Sequence, residues 1–113
     1  MSIDYEDVFD VLAEAVTDFK PSEAELEDRL SYPFLNGMVR FACDRAFPEF
    51  DTSLHQFADL FERLICEGDS NVHDLAHDAL ETVWEHDERE FISGYFGPKT
   101  RELWGRICSG ERG

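Results

Sequence analysis

The residue types in this chain that could do chemistry are concentrated between positions 73 and 95. His73 and His77 sit four apart, so on a helix they project from one face, with Asp74, Asp78 and Glu81 close by. Imidazole and carboxylate are ligand types for a divalent ion. Position 74 is Asp, so the string is not the H-E-x-x-H in which Glu serves a metalloprotease as general base. No matching set of further ligands is evident. A solvated polar face opposite the apolar stripe Val72, Leu75, Ala79 and Val83 is therefore expected. His73 and His77 remain the candidates should an ion bind, but neither a metal nor another cofactor is expected.

Catalysis finds little footing elsewhere. General acid–base work needs carboxylates in a partly dry pocket with their pKa values driven apart, and carboxylates here are too frequent for any pair to stand out. No serine lies in a G-x-S-x-G setting, and no glycine-rich phosphate loop is present. Cys43, Cys66 and Cys108 are widely spaced, with no C-x-x-C pair. They read as inert, reduced, partly buried thiols in apolar helical patterns. No enzyme is expected. The more suggestive group is the run Glu85 to Glu90 with Asp74, Asp78 and Glu81 on the turns before it. Asp74, Asp78, Glu81, Glu85, Asp87 and Glu88 are candidate contacts for a basic protein. Tyr95 is a candidate anchor among the aromatics Phe91, Phe96 and Trp104, which could equally close the core.

Net charge supports that emphasis. The 113 residues carry 26 Asp and Glu against 10 Lys and Arg, or −16. So much like charge costs a folded domain stability, which suggests that it serves a partner or a solvent condition. Residues 1–30 hold ten acids and two bases, and residues 61–90 repeat those counts. The stretch between them is nearly neutral and rich in Phe. Direct binding of nucleic acid is disfavoured, because that affinity comes from Lys and Arg meeting phosphate, and anionic membranes are disfavoured alike. An acidic amino terminus without a greasy run is unlike a signal peptide, so the cytoplasm is the expected location.

Helical periodicity must position these groups throughout. An all-α domain of five to six helices over 1–113 is expected, with residues 109–113 as a frayed tail. The first helix is read from Asp4 to Phe19. Ser22 and Glu25 form a capping box for a short second helix that ends before Pro33. The third runs from Pro33 to Phe47. The loop from Phe47 to Ser53, ending Asp51-Thr52-Ser53, offers the candidate caps of the fourth, and Gly68, in the left-handed conformation, is its expected stop. Asp69 or Ser70 caps the fifth, and Gly97-Pro98 opens the last. Small residues at 76 and 79 invite close approach of another helix. The pair spanning about 53–86 resembles one unit of a HEAT-type helical hairpin, without a second copy at that period.

From Phe61 to Ile107 a further pattern stands out. It comprises Leu64-x-x-Glu67-Gly68-Asp69-x-x-Val72, then Ala79-Leu80-Glu81, Phe91-Ile92, Phe96-Gly97-Pro98-Lys99-Thr100 and Trp104. This resembles an uncharacterised family of small bacterial helical domains, some of whose acidic members look like immunity proteins of polymorphic toxin systems. The resemblance implies a stoichiometric inhibitor, an immunity protein or antitoxin, whose acidic face occludes the basic cleft of a cognate toxin. Two alternatives stay open. One is a DNA mimic of the anti-restriction or anti-CRISPR kind. The other is a helical adaptor whose acidity serves solubility or salt adaptation.

Overall fold

The computed structural model describes residues 2–110, and the expected fraying of 111–113 lies outside the described residues. Seven α-helices account for the fold: α1 (Tyr5–Ala15), α2 (Glu23–Asp28), α3 (Ser31–Asp44), α4 (Asp51–Glu67), α5 (Ser70–Trp84), α6 (Arg89–Ser93) and α7 (Pro98–Cys108). A 3-10 turn, Pro48–Phe50, leads into α4. The protein is all-α, as its periodicity requires. The helix not foreseen is α6, a short turn whose buried residue is Ile92.

α4 and α5 form the hairpin at the centre. α3 packs on one side of α5, where Ala76 and Ala79 are fully buried and allow close approach. α1 covers α3 and α4, while α7 covers α4 and α5. Two strings of edge-to-face rings run through the interior. Phe9 meets Phe34 at 4.9 Å between centroids, and Phe19 continues to Phe34 and Phe41. Phe57, Phe61, Phe96 and Trp104 form the second string under α7. Such geometries place ring edges on ring faces, as the aromatic quadrupole favours.

Several expected boundaries shift for physical reasons. α1 ends at Ala15, with Val16 extended, and Phe19 reaches the core from the following loop. α3 begins two residues before Pro33, which still falls in its first turn, and it ends at Asp44, leaving Phe47 exposed. α4 begins at Asp51 with no side-chain cap, so neither Thr52 nor Ser53 caps it. The Ser53 hydroxyl, buried, instead donates to Asp18 at 2.5 Å and ties down the loop after α1. Gly68 is extended (φ −79°, ψ 152°) and not left-handed. Its requirement is space: a Cβ there would overlap the Leu64 carbonyl oxygen and the Val72 side chain. The thiols also divide, Cys43 being buried and Cys66 and Cys108 exposed.

The expected starts of α2, α5 and α7 are all present. Ser22 and Glu25 form a reciprocal capping box, and Gly97-Pro98 opens α7. Asp69 does more than its local role. One carboxylate oxygen accepts from Val72 N at 2.9 Å, capping α5, and the other accepts from Tyr5 N at 3.0 Å, capping α1. Ile3 completes this junction as an isolated parallel bridge with Gly68, donating to Glu67 O and accepting from Asp69 N. These N–H donors hold the Asp69 carboxyl below the usual carboxylate range, Val72 contributing most.

Candidate protein-docking face

The amphipathic pattern of α5 turns Val72, Leu75, Ala79 and Val83 into the core and leaves Asp74 and Asp78 exposed. Asp74, His77, Asp78 and Glu81 line a recess of about 370 Å³ whose opposite wall is Tyr32, on the first turn of α3. Tyr32 also lines a larger groove of about 460 Å³ with Tyr5, Glu6, Phe9, Arg29, Leu30, Ser31 and Pro33. A third recess holds Asp4, Tyr5, Glu6, Asp69 and Asn71. The rings of Tyr5 and Tyr32 lie 6.4 Å apart and join the three. Carboxylates from both acidic segments, Asp4 and Glu6 from the first and Asp74, Asp78 and Glu81 from the second, thus surround one aromatic pair.

Packing explains why the pair is there. α2 ends at Arg29 in the left-handed region (φ 50°), whose N–H closes the helix on Glu25 O. The guanidinium sits over the Phe9 ring at 4.9 Å and pairs with Asp10 at 3.1 Å. That turn leaves Leu30 and Tyr32 among the few large apolar side chains on the surface, 56% and 37% exposed. Partial burial, with Tyr5, Asp74 and Asp78 close by, pushes the Tyr32 phenol above its ordinary value. The phenol therefore stays neutral near pH 7, a donor facing carboxylates.

The sequence-derived candidates are not all brought together. Asp74, Asp78 and Glu81 share the recess, and His77 Nδ1 meets Glu81 at 3.0 Å. His73 does not join them. Its Nε2–H donates to the Ile65 carbonyl across the hairpin at 2.6 Å, so His73 and His77 do not converge on a common ion. Glu85 and Asp87 are exposed beyond the end of α5, whereas Glu88 turns toward Cys43 and His86. Tyr95 belongs to another cluster: its hydroxyl donates to Asp51 at 2.9 Å, and its ring packs against His55 and Phe91. The Asp51 hydrogen bond raises the Tyr95 phenol. Phe96 is buried and Trp104 partly so, which makes them core.

Tyr5, Arg29, Leu30 and Tyr32 escaped the sequence reading. Tyr5 fits an apolar helical stripe, and Leu30 and Tyr32 fall in the break before Pro33, where no period operates. The available signal was two large apolar residues in a link between helices. Comparison with protein-family models, with curated proteins and with solved structures gives no match.

Proposed function

We propose that this chain is an acidic protein-binding inhibitor, a bacterial immunity protein or antitoxin that blocks the basic active-site cleft of a cognate toxin. The observation that carries the reading is the Tyr5–Tyr32 pair with its surrounding carboxylates. An interface concentrates binding energy in a few aromatic, Arg and apolar anchors within a polar rim. Leu30, Tyr32 and Arg29 have that composition, and Asp74, Asp78 and Glu81 supply the rim. The resemblance of residues 61–107 to small bacterial helical domains, some of whose acidic members look like immunity proteins, is in keeping with this reading.

The mechanism follows from charge and shape. Opposed potentials steer encounter and discourage wrong partners. Glu85 and Asp87 extend the negative field beyond α5, and the aromatic pair then seats against the rim of the partner's cleft. Substrate is excluded by bulk, and like charge repels it if it is anionic.

Reading the neighbouring genes for a basic toxin domain, and surface plasmon resonance against any such domain, tests the reading. Association should slow as NaCl rises from 0.1 to 1 M, where the screening length falls from about 10 to 3 Å. Reversing Asp74, Asp78 and Glu81 to Lys should slow it by about tenfold or more. Tyr32→Ala should mainly speed dissociation, by about 30-fold if it is worth ~2 kcal/mol. Binding indifferent to salt, to the reversal and to Tyr32→Ala overturns the proposal.

A further inference from the structure

Cys43, near the end of α3, faces the turn between α5 and α6. There its sulfur, a ring nitrogen of His86 and a carboxylate oxygen of Glu88 all lie within 4.8 Å of one another. Cys43 is buried, and His86 and Glu88 are half-buried. Among the described residues none of the three side chains makes a hydrogen bond or ion pair with another group. The contrast with the other histidines is informative: His55 is held by Asp51, His73 by the Ile65 carbonyl and His77 by Glu81. His86 alone presents a ring without a polar partner, and it does so beside a thiol and a carboxylate.

We propose that Cys43, His86 and Glu88 bind a zinc ion that pins the α5–α6 turn to α3. A thiol, an imidazole and a single carboxylate suit Zn²⁺ and disfavour Mg²⁺ or Ca²⁺, which require mostly oxygen ligands. Tetrahedral zinc with these ligands needs donor atoms roughly 3.3–3.7 Å apart, so no separation in the cluster has to shorten by more than about 1.5 Å. Glu88, on a turn, has the side-chain reach for that adjustment. On binding, the Cys43 thiol proton passes to solvent, and thiolate and carboxylate together neutralise the ion. Water takes the fourth position.

The turn is already shaped for this. Arg89 Nη1 donates to Trp84 O at 3.2 Å, and the guanidinium lies over the Trp84 ring at 5.2 Å. Burial works against a thiolate at Cys43, while the negative charges of Glu88 and Asp44 act on the same group and favour a cation beside it. The inference is independent of the docking face.

Titrating tag-free, reduced, chelator-stripped protein with Co²⁺ and then Zn²⁺ tests it. One Co²⁺ per chain should bind with a thiolate-to-cobalt charge-transfer band in the near ultraviolet, and Zn²⁺ should bleach it. Cys43→Ala should abolish the band. Because that position is buried, His86→Gln and Glu88→Gln provide the check that spares the core. Each should keep its helical circular dichroism yet bind Zn²⁺ roughly 100-fold more weakly or worse, beyond the cost of losing an outer-shell partner. His77→Gln should bind as the unaltered protein does. Absence of the band, its survival in Cys43→Ala, or undiminished affinity in either turn variant overturns the proposal.

Discussion

Glu62, a residue of α4, acts at a distance from its own helix. One carboxylate oxygen accepts from Thr100 N at 3.0 Å and from the Thr100 hydroxyl at 2.9 Å, and the other accepts from Lys99 N at 3.2 Å. Since α7 has no side-chain cap of its own, Glu62 satisfies its first-turn donors from outside. Gly97 is needed there because a Cβ would come within 2.7 Å of the Glu62 carboxylate. Partial burial works to raise the Glu62 carboxyl, but the bonds from Thr100 and Lys99 outweigh it and hold it low. A lowered carboxyl contributes stability that is complete above the ordinary value and is lost as pH falls through the lowered one. Glu62→Gln should therefore cost about 1 kcal/mol near pH 6, with the deficit closing toward pH 3. Urea unfolding at both pH values checks this, and a deficit independent of pH would refute it. The sequence displays Gly97-Pro98 as a helix start, but a cap supplied from 37 and 38 residues away has no local signature.

The hairpin of α4 and α5 shows how far local rules carry at the next scale. Ser22 and Asp69 are legible because a cap satisfies donors within a few residues of itself, and Gly97-Pro98 because proline at the first helical position lacks a donor that would go unpaired. Gly68 is legible as a break, but its physical reason is the approach of Leu64 and Val72, which only the packed hairpin creates. Cys43 meeting the turn at His86 is illegible for the same reason: helical period places a residue on a face without saying which element covers it. Two glycines separate these cases experimentally. Gly68→Ala should destabilise by about 1–3 kcal/mol, since the added methyl overpacks the turn. Gly105, within α7, has open space around it. Gly105→Ala should stabilise by about 0.5–1 kcal/mol, because glycine carries an entropic penalty inside a helix. Thermal unfolding of both variants reads the two signs, and equal signs would contradict the packing argument.

Across the described residues only some of the few cations are deployed against the many anions. Arg45 stacks on Phe41 at 3.9 Å, Arg89 bonds the Trp84 carbonyl, and Arg101 donates to Phe96 O and Gly94 O. The Lys and Arg ion pairs among the described residues, Arg29–Asp10, Arg63–Glu67 and Lys99–Glu102, are largely exposed and contribute little. Most of the −16 charge is thus left to repel itself. Raising NaCl from 0.1 to 1 M should raise the melting temperature, because screening relieves that repulsion. A flat or falling melting temperature would show that the ion pairs dominate. That two acidic segments exist is plain from composition. That they meet around Tyr5 and Tyr32 is not, because the meeting depends on α1 lying across α3. No described helix is long and apolar enough to cross a membrane.

The double cap at Asp69 also bears on biosynthesis. Tyr5 leaves the ribosome 64 residues ahead of the side chain that will accept its N–H. At ~5–20 residues per second, α1 waits on the order of several seconds before its partner is translated. During that interval Val8, Phe9 and Leu12, buried in the finished protein, have no hairpin to lie against. The nascent chain therefore leaves this apolar face uncovered until α3 emerges, and incompletely covered until α4 and α5 follow.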